Sequence, residues 1–494
     1  MAPDQVNTIP FAAFCDETTR QSGLRAAITA AYRRSEISCI QALLPAATLT
    51  TPEKPRTRAT GTHLITAARA GPAPAGAAAL IREYALSSAE GVALMCLAEA
   101  LLRIPDIATR DALIRDKISG GDWRAHLGGN RALFVNAATW GLVITGRLTS
   151  AGDDPTLGNA LTRLLARAGE PVIRKAVDLA MRLMGNQFVL GETIEKALAH
   201  ARTREASGFR YSYDMLGEAA LTANDAARYF AAYHHAIIAI GAASQGRGIY
   251  EGPGISIKLS ALHPRYTRRQ KARVLAELQP RLTSLAMLAR ACDVGFNIDA
   301  EETDRLDLSL DLLEHLCTLP GLAGWHGIGF VVQAYQKRAP FVLDFCIDLA
   351  RRTGHRLMIR LVKGAYWDAE IKRAQEGGFD DFPVFTRKIH TDISYLACAR
   401  KLLAARDTIY PQFATHNALT IAAIHAIGTV ADTHAMGAGD DYEFQCLHGM
   451  GEDLYAQVIG PGHLNIPCRV YAPVGGHETL LAYLVRRLLE NGAN

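Results

Sequence analysis

The sequence predicts an α/β protein whose larger part is a distorted (βα)8 barrel preceded by an N-terminal arm and an all-helical domain. Three observations carry that expectation. After Gly208 short β-rich runs alternate with amphipathic helices, and there are eight such runs. Each is followed by a helix or crossover, and about 285 residues is the size such a barrel needs. No GxGxxG or Walker sequence follows the first run, as a doubly wound sheet would usually advertise.

The 494 residues suggest two or three domains. With 49% hydrophobic and 21% charged residues the chain can bury a large core. A net charge of +4 gives no reason to expect a nucleic-acid partner. The nine cysteines are scattered singly with no CxxC, which fits a reducing, cytoplasmic compartment. No apolar run reaches about 18 residues, so no transmembrane helix is expected, although a peripheral contact at the inner membrane face is compatible with this.

Residues 1–70 read as an arm and linker. One helix is expected over 23–35 and an apolar end over 40–44, then a Thr- and Pro-rich loop, TLTTPEKPRTRATGTH. Residues 71–207 read as a helical domain. Ser87 with Glu90 forms a capping box ahead of the nearly all-apolar GVALMCLAEALLRI. Further helices are expected over 108–118, 157–165, 170–183 and 192–206. Residues 208–494 hold the barrel. Its strands are expected over 211–216, 255–260, 296–300, 329–333, 357–362, 413–416, 443–447 and 469–472. The main helices between them fall over 223–242, 271–291, 305–316, 341–352, 384–405 and 421–426.

The last stretch organises the reading. Leu480, Leu481, Leu484, Val485, Leu488 and Leu489 fill one side of a terminal helix, and Tyr483, Arg486, Arg487 and Glu490 the other. Two adjacent guanidiniums beside a tyrosine suit a small carboxylate; the plainer reading is a solvated face.

Barrel chemistry sits at the C-terminal strand ends. There the sequence offers Asp214 and Glu218, Lys258, Asp299 with Glu301 and Glu302, Gln333, Arg360 with Lys363, Thr415 with His416 and Asn417, Gln445 with His448, and Tyr471. The ring suits a ligand with several anionic or hydrogen-bonding groups. Lys258 reads as a Schiff-base lysine, an anion partner, or one half of an ion pair with Asp299. Asp299 and Glu301 read as paired carboxylates or as barrel-end salt-bridge partners. His416 and His448 lack metal-ligand spacing, so no metal is expected. The run RLVKGAYWD leads from a strand into a glycine turn and two aromatics, a base near a flat ring or plain aromatic packing.

The runs YSYDMLGEAA, SIKLSALHPRY, NIDAEE, VVQAYQKRA, RLVKGAYWD, ATHNA, YEFQCLHGMG, CRVYAPVG and HETLLAYLVRRLLENGAN occur in order. Together they resemble the proline dehydrogenase barrel of the bifunctional proline utilization A family, and EYALSSAEGVALMCLAEALLRIPD resembles that family's helical domain. The resemblance implies FAD as cofactor, oxidation of L-proline to Δ1-pyrroline-5-carboxylate, and electron transfer to a membrane quinone. It implies a substrate carboxylate held by Arg486 and Arg487 with Lys258 assisting. Tyr471, Leu447, Tyr366 and Ala365 would wall the proline ring, with Asp299 beneath. For FAD it points to Gln333 at the pyrimidine edge and Arg360 near N5. Lys363, Trp367, Thr386, Lys388, His416, Asn417 and Glu490 would contact the rest. Glu218 resembles a residue that helps close the site.

Two departures shape the expectation. The chain stops after the arginine helix without the family's aldehyde dehydrogenase half, so a truncated form or a natural monofunctional relative is expected, without the second oxidation. Residues 1–45 show no ribbon-helix-helix pattern, so no operator binding is expected. A cofactor-free lyase or aldolase using Lys258, and a non-catalytic amino-acid sensor, are the competing readings.

Overall fold

The computed structural model describes residues 23–70, 189–431 and 441–476, together with Gln21 and Thr109. Most of the expected helical domain lies outside the described residues. So does the terminal helix with Arg486, Arg487 and Glu490.

Eight parallel strands close into a barrel in sequence order. They are β1 (Phe209–Met215), β2 (Gly254–Ile257), β3 (Gly295–Ile298), β4 (Ile328–Gln333), β5 (Leu357–Val362), β6 (Ile409–Ala414), β7 (Glu443–Leu447) and β8 (Cys468–Val474). β8 returns to β1 with Phe209 opposite Cys468 and Met215 opposite Val474. Every expected strand is present, and those over 357–362 and 443–447 keep the expected limits. The run expected over 255–260 stops at Ile257, and Leu259–Leu262 turns helical, which leaves Lys258 at the junction.

The strands alternate as a barrel requires. Tyr211, Tyr213, Ile255, Ile257, Phe296, Ile298, Phe413 and Phe444 are fully buried under the helices. The opposite set of side chains meets across the lumen and is polar. Arg469 Nε donates to Glu443 at 2.7 Å, and Gln412 and Gln445 donate to the same oxygen at 2.8 and 2.9 Å. Burial alone would raise the Glu443 carboxyl; Arg469 and Arg210 hold it below its usual range. Charged and amide side chains thus plug the lower barrel, where branched aliphatics would be usual.

The helices start where local signals permit. The helix Ala223–Ser244 opens on a capping box: Thr222 Oγ accepts the Asp225 N–H, and Asp225 accepts the Thr222 N–H. Gly354 ends Ala339–Thr353 in the left-handed region.

The N-terminal segment is a correction. Residues 48–52 of the expected Thr- and Pro-rich loop are a loop, but from Glu53 the chain forms an 18-residue helix, Glu53–Ala70. Pro55 falls in its first turn, where a missing N–H costs nothing. Glu53 accepts the Thr50 N–H at 2.7 Å and pairs with both terminal nitrogens of Arg400 at 2.9 and 2.8 Å. A Cβ on Gly61 would touch Ala422 at 3.7 Å, so the helix lies close against Ala418–Ala431. Ahead of it, Gly23–Ala30 and Glu36–Ala47 replace the single expected helix. Thr- and Pro-rich composition misleads here because tertiary contacts fix this helix.

Candidate active site

A cleft open to solvent lies among the residues at the C-terminal strand ends. Its lining includes twelve of the expected residues: Lys258, Asp299, Gln333, Arg360, Lys363, Ala365, Tyr366, Thr415, His416, Gln445, Leu447 and Tyr471.

At its base lies one buried charge network. Lys258 Nζ donates to Asp214 at 2.7 Å, to Tyr471 OH at 3.1 Å and to Asp299 at 3.3 Å. Asp299 also accepts from Tyr471 OH at 2.6 Å and from Arg360 at 2.8 Å. Arg360 crosses the lumen to donate to Ser256 at 2.8 Å and Ser212 at 3.4 Å. Burial alone would lower the Lys258 pKa, but Asp214, Tyr471 and Asp299 hold it well above its ordinary value. Burial next to Asp214 and Asp299 keeps the Tyr471 phenol protonated. Lys258 is therefore an ammonium and Tyr471 a neutral phenol at neutral pH. An ammonium is not a nucleophile, so Schiff-base chemistry at Lys258 has no starting point here. Asp214 was in the expected ring without a role. It is the nearest partner of Lys258, nearer than the expected Asp299.

Glu301 does not pair with Asp299. It accepts the Ser260 N–H at 3.0 Å and Arg305 at 2.7 Å, and Arg305 reaches Glu302 at 3.1 Å. Of the two readings of these carboxylates, the salt-bridge one holds.

The wall after β5 depends on a glycine. Gly364 has φ +145°, and a Cβ there would stand 2.4 Å from the Tyr335 ring. This close approach lets Lys363, Ala365 and Tyr366 turn into the cleft. Lys363 Nζ lies 2.7 Å from Asp392. His416 Nε2 accepts the Leu447 N–H at 3.0 Å, so the neutral ring carries its proton on Nδ1. Among the described residues no group of three or more His, Cys, Asp or Glu could hold a metal ion.

Other expected residues stand off the cleft lining. Trp367 is 41% exposed and donates to Phe385 O at 2.9 Å. Thr386 donates both N–H and hydroxyl to Glu36 of the N-terminal segment. Lys388 reaches Asp392 at 3.2 Å. Asn417 Oδ1 accepts the Thr420 N–H at 3.0 Å and so caps a helix. Glu218 is half-buried in the loop after β1. Sequence reasoning missed Ser212 and Ser256; their signal was polar alternation along β1 and β2, in step with Asp214 and Lys258.

The family model described as Proline dehydrogenase matches residues 197–494. The chain belongs to the proline dehydrogenase family. A model described as Proline utilization A proline dehydrogenase N-terminal domain matches residues 22–69, the segment docked on the barrel. One described as DNA-binding domain of Proline dehydrogenase matches residues 76–188. That description runs against the expectation of no nucleic-acid partner, and nearly all its residues lie outside the described ones. The chain is 63% identical over 492 residues to the bifunctional protein PutA of Klebsiella aerogenes, covering 98% of this chain and 37% of that protein. It is 27% identical over 333 residues to a proline dehydrogenase of Deinococcus radiodurans, covering 67% of this chain and 94% of that protein. A crystal structure of bifunctional proline utilization A matches with a TM-score of 0.70 at 49% identity, covering 94% of this chain and 46% of that one. The chain thus spans less than half of the bifunctional relatives it matches. Among the described residues no helix is long and apolar enough to cross a membrane.

Proposed function

We propose that the chain oxidises L-proline to Δ1-pyrroline-5-carboxylate with FAD as electron acceptor, and that a quinone, reached by peripheral membrane contact, takes the electrons onward. The observation that carries this reading is the network under the cleft. It locks Lys258 as a cation between two carboxylates and leaves hydrogen-bonding atoms for a ring with polar edges. Arg360 Nε and Gln445 Oε1 are buried without a partner among the described residues, at the cleft base where such a ring would lie. One donor and one acceptor so placed fit the polar edge of a flavin.

When bound, FAD supplies a two-electron acceptor for the hydride from the proline ring C5. The protein's share is position. Gln333, Arg360, Lys363 and His416 would hold the cofactor from the cleft wall. Trp367, Lys388 and Glu490 would serve its outer part by resemblance. Thr386 and Asn417 would do so with the atoms that Glu36 and Thr420 leave over. Lys258, Arg360, Asp214 and Asp299 sum to no net charge in their ordinary states. A substrate carboxylate therefore needs cations from elsewhere, and Arg486 and Arg487 are the pair the sequence supplies. Their charge would also lower the substrate amine pKa, favouring the neutral amine that hydride loss requires. Tyr471, Leu447, Tyr366 and Ala365 would wall the ring. A methylene misfit there is worth only about 1–3 kcal/mol, so orientation by the carboxylate matters more than fit.

An anaerobic titration with L-proline tests the proposal. The purified protein should be yellow, and its visible flavin absorbance should bleach as proline is added. A colourless protein that FAD cannot reconstitute would sink the reading. Bound flavin that proline leaves unbleached would favour a sensor instead.

A further inference from the structure

Gln333 stands at the end of β4, 4% exposed, and lines the cleft. Its Oε1 accepts from Gln336 Nε2 at 2.6 Å. Gln336 Oε1 in turn accepts from Arg338 Nη2 at 3.1 Å. Arg338 is 2% exposed and is held in place from three sides. Its Nη2 donates to Thr303 O, its Nη1 lies 3.5 Å from Asp307, and its guanidinium lies 4.4 Å from the ring centre of Tyr32 in the N-terminal segment.

A guanidinium has donors and no acceptor. Gln336 must therefore turn its oxygen toward Arg338 and its amide nitrogen toward Gln333. Gln333 must answer with its oxygen. What remains of the Gln333 amide is Nε2, a donor with no acceptor among the described residues. One buried charged side chain outside the cleft lining thus sets the polarity of an amide in the cleft, two hydrogen bonds away.

We propose that Arg338 and Gln336 are positioning residues that make Gln333 present an N–H, never a C=O, to the bound ring, and so select a carbonyl oxygen on the flavin edge. The inference rests on the flavin reading. A donor at a ring carbonyl favours the electron-rich reduced ring over the oxidised one. The relay therefore raises the flavin reduction potential as well as its affinity.

The test reverses the relay in the intact chain loaded with FAD. In Gln336→Glu the carboxylate keeps Arg338 as an ion pair but can only accept, so Gln333 must rotate and turn its oxygen to the cleft. Gln333→Glu reaches the same end by another route: it still accepts from Gln336 and offers the cleft an acceptor alone. Gln336→Met merely frees Gln333 to rotate, and Arg338→Lys retains a donor. FAD affinity by fluorescence, flavin midpoint potential by spectroelectrochemistry, and thermal unfolding are read on all four. Both Glu variants should bind FAD at least about tenfold more weakly and show a more negative midpoint potential, with unfolding little changed. Gln336→Met and Arg338→Lys should stay closer to the parent. Equal potentials in parent and both Glu variants would overturn the relay alone. So would a Gln336→Met effect as large as Gln336→Glu, which would mark simple packing. A parent chain that binds no FAD would overturn the flavin reading and the relay together.

Discussion

Replacing Lys258 with Met should cost the folded barrel about 3–4 kcal/mol at neutral pH, within the usual penalty for breaking a buried ion pair. The site fixes where that cost falls. Asp214 is fully buried, Lys258 at 2.7 Å is its hydrogen-bond partner, and its second oxygen has none among the described residues. Asp299 would lose only its longer contact with Lys258 at 3.3 Å and would keep Arg360 and Tyr471 at 2.8 and 2.6 Å, so its share of the loss is the smaller one. The stranded Asp214 can escape by binding a proton. At pH 7 that costs about 4 kcal/mol against an unfolded pKa of about 3.9, which caps the penalty. Burial already raises the Asp214 carboxyl, and losing the ammonium raises it further. The folded variant would then hold a proton that the unfolded chain releases above about pH 4. Its deficit should shrink by about 1.4 kcal/mol for each pH unit from 7 toward 4. Asp214→Asn in the same chain should restore most of the loss at pH 7. Denaturant unfolding of parent, both single variants and the double variant, at pH 7 and pH 5, measures all of this. A Lys258→Met deficit that is independent of pH, or undiminished in the double variant, would refute the reasoning.

Three further outcomes follow from the same geometry. Gly364→Ala puts a methyl 2.4 Å from the Tyr335 ring at φ +145°; backbone strain alone costs about 1–3 kcal/mol, and the protein should be purified with much less flavin, as its absorbance ratio would show. Glu53 is held down to about 2, first by hydrogen bonding from Arg400. Its stabilisation is complete above its ordinary value of 4.5 and is lost as pH falls from there toward 2. Glu53→Gln should loosen residues 53–70 by about 1–2 kcal/mol after solvent screening, and hydrogen exchange that matches the parent's at pH 6 would contradict this. Arg486→Met or Arg487→Met should raise the proline KM at least about tenfold with FAD content kept, since a charge-assisted bond is worth about 1.5–3 kcal/mol; an unchanged KM would remove the carboxylate clamp.

The barrel was legible because strand alternation and helical periodicity are local properties. Buried strands such as 357–362 advertise themselves by aliphatic residues, here Leu357, Met358, Ile359, Leu361 and Val362 around the single Arg360, and chemistry follows from the strand ends. The helix over 53–70 was not legible. Its start depends on Glu53 finding Arg400, some 350 residues away, and no local pattern encodes that contact. Trp367, Thr386, Lys388 and Asn417 were expected at the cofactor. Thr386 and Asn417 turn out to carry bonds to Glu36 and Thr420 as well, because a side chain near a helix start is drawn to the nearest unpaired backbone group or acceptor.

By itself the sequence determined the fold class, the eight strands in order, and twelve of the residues that share the cleft. The strands and most of those side chains follow from periodicity and from the rule that barrel chemistry gathers at one strand end; Ala365 and Leu447 follow from the family resemblance. Only the tertiary structure decided which of those groups are charged and which way their amides point. Asp214 rather than Asp299 lies nearest Lys258, and Arg338 rather than Gln333 itself dictates what Gln333 offers the cleft. Protonation and hydrogen-bond polarity are set by desolvation and by partners from distant strands, and neither has a signature along one dimension.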